Sequence, residues 1–177
     1  MIVGLPVIDI VLEHHAQRIA SDLPAYRNHV YRVVNVMDAI APIAQDDHVA
    51  VGVAAAFHDI GLWTANTWDY IPPSVAAAEQ WLQDAARTDL SPRVRGMIEN
   101  HHKVFPCPAD SDPLVENFRR ADWCDVTLGL RSSGLPRRRY SEIVTLFPTV
   151  GFHRRLLAMT LRNAARRPFD PLPMFRW

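Results

Sequence analysis

Seven side chains able to bind a metal or move a proton sit where helical periodicity calls for apolar residues. They are His29, the adjacent His58 and Asp59, the adjacent His101 and His102, Asp122 and Asp125. His29 shares a stripe with Tyr26 and Val33, and Asp59 closes the most hydrophobic stretch of the chain, VAVGVAAAFHD. His101 and His102 extend the series Val94, Met97, Ile98, while Asp122 and Asp125 fall in line with Leu114, Phe118 and Ala121. Taking a carboxylate out of water is costly unless it is paired or bound to a metal. Imidazoles and carboxylates converging in the core of a helix bundle make the ligand set of a divalent cation. Singly, each residue has a plainer reading: a satisfied core histidine, or an aspartate capping a neighbouring helix. The whole set is what points to metal. His14, His15 and His48 show no such convergence and read as surface residues.

Helices must position these groups, because strand-type alternation is nearly absent from the chain. An amphipathic helix is expected from about Ala25 to Ala44, after Pro24. Asp46 or Asp47 can cap the next one, which is apolar almost all round and ends at His58-Asp59-Ile60-Gly61. Gly61 suits a left-handed C-terminal position. Further helices are expected from near Pro73, from Pro92 to about Lys103, and from about Asp112 to Leu130. A turn at Ser132-Ser133-Gly134 precedes helices near Arg137–Phe147 and Thr149–Arg167. The tail from Pro168 to Trp177 is expected to pack as an extended strap. The fold class is all-α, a bundle of about six or seven helices in one domain spanning residues 1–177.

The 177 residues are enough for one domain with a substantial core, and 49% apolar with 21% charged content excludes disorder. The zero net charge hides an asymmetry. Residues 1–118 hold 7 basic and 15 acidic side chains, and residues 119–177 hold 12 basic and 4 acidic, for nets of −8 and +8. All basic residues but Lys103 are arginine, whose planar fork suits phosphate or carboxylate. The plain reading is that the basic third packs against the acidic remainder; an anionic ligand is the alternative. The opposite charges also allow a homo-oligomer. Cys107 and Cys124 form no disulfide framework. The N-terminus lacks a basic leader and is interrupted by Pro6, Asp9 and Glu13, so neither a signal peptide nor a membrane span is read. A cytoplasmic location is expected. The C-terminal arginines lack the interleaved aromatics of a nucleic-acid surface, so no nucleic-acid partner is expected.

The order His29, His58-Asp59, Asp122, each on its own helix, resembles the H…HD…D signature of the HD-domain superfamily of metal-dependent phosphohydrolases. The words NHVYRVVNVM, AAAFHDIG and FRRADWCDVTLGL carry the likeness, which covers roughly residues 25–130. FPTVGFHRRL and PLPMFRW resemble a narrower group of short members, in which the C-terminal helices and tail of residues 131–177 belong. The resemblance implies that His29, His58, Asp59 and Asp122 bind one divalent ion, Mn, Fe, Mg, Co or Zn. It also implies that His101 and His102 serve a second ion or the catalysis, with Asp59 as bridge. Two-metal members carry another histidine near Ser74, and one-metal members place a Glu or His shortly after the doublet, where this chain reads Ile60-Gly61-Leu62-Trp63. The acid or base is therefore sought among His102, His101, Glu79 and Asp125. Lys103, Arg119 and Arg120 are the candidates for holding substrate phosphate.

The expected activity is metal-dependent hydrolysis of a phosphoester in a small phosphorylated molecule, such as a nucleotide. Two other classes compete with it. One is a di-iron oxygenase on the same fold; the other is a non-catalytic module that keeps metal for stability.

Overall fold

The computed structural model describes residues 1–170 and 172–176, without the side chains of Phe175 and Arg176. Among the described residues, ten α-helical segments follow in order: α1 (Pro6–His14), α2 (Ala16–Ile19), α3 (Leu23–Ile40), α4 (His48–Phe57), α5 (Gly61–Thr64), α6 (Ile71–Asp84), α7 (Ser91–Asn100), α8 (Pro113–Val126), α9 (Arg137–Leu146) and α10 (Phe152–Arg166). No strand occurs among the described residues. The fold is all-α, as expected. The seven expected helices correspond to α3, α4 and α6–α10; α1 and the single-turn α2 and α5 are additions.

α1 was masked in the sequence by Pro6, Asp9 and Glu13, which break an apolar run but not an amphipathic helix. Pro6 sits in its first turn, where a missing N–H costs nothing. Ile8, Val11 and Leu12 turn inward against α4, Glu13 faces solvent, and Asp9 pairs with Arg27.

Four helices form the heart of the molecule: α3 packs on α8, α8 on α7, α7 on α4 and α4 on α3. α4 can be central because Ala50 through Phe57 are all buried. Pro113 starts α8, with the Asp112 carboxylate accepting the Leu114 N–H as an N-cap. α6 flanks α7, α9 flanks α3, and α10 lies over the α3 side with Phe152 turned inward. No helix of the described residues is long and apolar enough to cross a membrane.

Gly61 is not the left-handed terminator expected of it. Positive φ occurs in glycine only at Gly129, Gly134 and Gly151, and Gly61 opens α5 instead. Its role is close approach: a Cβ there would stand 2.5 Å from the Tyr70 carbonyl oxygen. Its N–H donates to Ser74 Oγ at 2.9 Å, which locks the turn after His58-Asp59 onto α6. The tail also departs from the expected strap. Phe169 is fully exposed, while Pro173–Arg176 forms one 3-10 turn that buries Met174. Pro171 and Trp177 lie outside the described residues.

Candidate metal centre

The four helices of the heart bring six of the seven singled-out residues to one point. His29 comes from the middle of α3, His58 and Asp59 from the end of α4, His101 and His102 from the end of α7, and Asp122 from α8. His29, His58 and His101 are wholly buried, and Asp59 and Asp122 nearly so. Placing two of these pairs immediately after a helix lets consecutive side chains reach one site, which residues i and i+1 within a helix cannot do.

Ring orientation fixes what the imidazoles offer. His58 Nδ1 lies 2.7 Å from the Ala55 carbonyl, and His101 Nδ1 lies 2.6 Å from the Ile98 carbonyl. A carbonyl can only accept, so both Nδ1 atoms carry protons. His29 Nδ1 is 2.7 Å from Asp125 Oδ2 and donates likewise. All three Nε2 atoms therefore face the centre as lone-pair donors, the arrangement in which second partners orient metal-binding histidines.

The spacing of these groups could hold a cation. His29 Nε2 and His58 Nε2 stand 3.0 Å apart, so two neutral rings would oppose lone pair to lone pair. Asp59 Oδ2 is 3.3 Å from His58 Nε2 and 3.8 Å from His29 Nε2. Asp122 Oδ1 is 3.5 Å from His29 Nε2 and 3.8 Å from His58 Nε2. Donors held at ~2.1 Å from one ion lie about 3.0 Å apart at right angles and ~3.4 Å apart in a tetrahedron, so these spacings match a shared ion. Asp59 Oδ1, His101 Nε2 and Asp122 Oδ2 are buried with no hydrogen-bond partner. Two donor groups emerge, His29-His58-Asp59 and Asp59-His101-His102, and Asp59 belongs to both. Asp59 Oδ1 is 3.4 Å from His101 Nε2. Nitrogen and carboxylate donors in this mixture suit several first-row divalent ions.

The electrostatics agree. Burial, helped by the neighbouring charges of Asp59 and Asp125, pushes Asp122 up to about 8. Burial pushes Asp59 up too, but the His58 charge and the donors around it win and hold it well below the usual carboxylate range. Burial lowers His29 to about 4. His58 is desolvated as strongly, yet Asp59 outweighs this and raises it.

Asp125 is the seventh residue, and its role differs from the acid or base expected. Its carboxylate receives Arg32 Nε at 2.6 Å, Arg32 Nη2 at 2.9 Å and the Tyr140 hydroxyl at 3.1 Å, besides the His29 N–H. Burial opposes its charge, but the His29 and Arg32 donors hold it well below the usual carboxylate range. It orients His29. Arg32, Tyr140 and Phe152, which stacks on His29 at 4.2 Å, complete this support. Sequence reading missed all three, along with Tyr70, whose hydroxyl hydrogen-bonds His102 Nε2. Arg32 lies three residues after His29 and so near its helix face, the one signal available.

Other expected site residues lie elsewhere. Glu79 pairs with Arg95 on the outer side of α6 and α7, away from the centre. Arg119 is forked onto Glu116 and the Lys103 carbonyl, and Arg120 donates to the Ser133 carbonyl. Neither arginine is presented to a phosphate; both brace loops. Lys103 is exposed one residue beyond His102, beside a surface groove lined by Phe105 and Cys107. No protein-family model matches this chain, and neither the curated proteins nor the solved structures yield a match.

Proposed function

We propose that the chain is a metal-dependent phosphohydrolase of the HD type, acting on a small phosphorylated molecule. The observation that carries this reading is the convergence of three oriented imidazole lone pairs and two carboxylates with unpartnered buried atoms on one centre. His29, His58, Asp59 and Asp122 would hold one divalent ion, and Asp59, His101 and His102 a second. Such ions supply an acidified water and offset the charge of a phosphoryl group.

The protein groups divide the remaining work. The Asp125–Arg32 fork holds His29 in one tautomer and one orientation. Burial and the nearby Asp59 keep the Tyr70 hydroxyl protonated far above its ordinary range, and it hydrogen-bonds with His102 Nε2. His102 Nδ1 lies 4.0 Å from Asp122 Oδ2. Burial and the neighbouring His101 hold His102 well below the ordinary imidazole range, so it would serve as a neutral ligand or proton acceptor.

Asp59 belonging to both donor groups also favours a second reading, a di-iron centre that uses dioxygen. One set of samples separates the readings. Metal-loaded protein is screened against nucleotides and sugar phosphates. Release of phosphate that is lost on chelation and in Asp59→Ala supports hydrolysis. Two irons per chain, an oxygen-dependent optical change and no phosphate release would replace it with the oxygenase.

A further inference from the structure

Beside the metal centre lies a cleft of about 410 Å³ that plays no part in holding the cluster. Its floor and one wall come from Trp63 and Trp68 in the segment after Asp59, and its other wall from α10. Four arginines line it: Arg18, Arg155, Arg162 and Arg166. Three of them follow helical spacing, 155, 162 and 166, which keeps them on one side of α10.

Among the described residues, the charge in this cleft is only partly neutralised. Asp22 is the one acidic residue on its lining, and it is committed twice, to Arg155 Nη2 at 3.2 Å and to the Trp63 indole N–H at 3.1 Å. Arg18 donates to the Thr64 carbonyl, a neutral partner. Arg162 and Arg166 make no ion pair among the described residues, and both are exposed. Counted over the described lining residues, four guanidinium groups against one carboxylate give a net charge of +3. Elsewhere in the same third of the chain, Arg119, Arg138 and Arg139 all find glutamates.

The cleft neighbours the centre. Asp22, Leu62, Trp63, Arg155 and Met159 border both the cleft and a small, mostly apolar pocket of about 20 Å³ whose lining includes Asp59.

We infer that this cleft is an anion-binding subsite that receives a phosphoryl group of the substrate. Two charges on a phosphate monoester, or more on a diphosphate, suit the +3 lining better than one carboxylate does. The volume is that of a site for a small organic molecule. The substrate assignment rests on the phosphohydrolase reading; the anion site itself does not.

Calorimetric titration of the full chain, freed of metal by dialysis, with inorganic pyrophosphate tests the site. Pyrophosphate binds the wild type more tightly than succinate, and Arg162→Gln combined with Arg166→Gln weakens it about tenfold or more. The melting temperature of this variant stays unchanged, since both side chains are exposed. Arg18→Gln weakens binding independently, and Arg138→Gln on the far surface leaves it intact. Wild-type protein that binds no pyrophosphate, a double variant that binds it equally well, or succinate bound as tightly overturns the subsite. Pyrophosphate binding without any phosphatase activity would sink the enzymatic reading and leave the anion site standing. Phosphatase activity without pyrophosphate binding would do the reverse.

Discussion

At the back of the metal centre Arg32 is wholly buried, with its guanidinium divided between the Asp125 carboxylate and the Phe147 carbonyl. On α10, Arg162 and Arg166 stand in a concave wall with no carboxylate partner among the described residues. The same side chain serves opposite purposes. Burying a guanidinium costs several kcal/mol, and a two-point fork to a carboxylate offsets that cost while fixing geometry. Leaving one exposed in a cleft keeps its charge for something that arrives. Arginine content therefore says little until each fork has been followed to its partner.

Breaking the buried fork has the largest expected effect. Arg32→Met strands the Asp125 carboxylate and loosens His29, costing about 3–5 kcal/mol in urea denaturation. A loss below ~1 kcal/mol would mean that the fork does not hold the centre in place.

Arg119 occupies a middle ground, and pH exposes it. Its hydrogen bonds lower Glu116 to about 2 from the ordinary 4.5. A depressed carboxylate stabilises the fold above its unfolded value, and that stabilisation is lost as pH falls through the folded value. With the glutamate side chain 26% exposed, the pair is worth about 1 kcal/mol after solvent screening. The stability gap between wild type and Glu116→Gln should therefore be constant above about pH 5 and close toward pH ~2. A gap that persists in acid would assign the effect to packing instead.

The residues of the centre were legible because a polar side chain on an apolar helical stripe is conspicuous. His29, Asp59, His101 and Asp122 stood out in this way, and the structure brings them together with His58 and His102. Asp125 stood out equally, but periodicity gives only the face. Whether an inward carboxylate meets a metal or an arginine depends on what the neighbouring helix presents, here Arg32 and the His29 N–H. Glu79 was misplaced for the converse reason, since the outer side of α6 meets Arg95. Tyr70 gave no signal, because its position follows from a loop whose path is set by Gly61 against its carbonyl. The basic third was read as mainly pairing within the molecule. Arg119, Arg138 and Arg139 do pair with glutamates, while Arg162 and Arg166 lie exposed on α10, where only its packing beside Trp63 shows the cleft they line.

The account stands on a cation shared by His29, His58, Asp59 and Asp122. Elemental analysis of the full-length protein, purified under metal-replete conditions and desalted, tests it directly. At least one first-row divalent ion per chain should be retained by the wild type and lost in Asp59→Ala. A wild type that retains no ion, or an Asp59→Ala protein that retains as much, would contradict the metal centre itself.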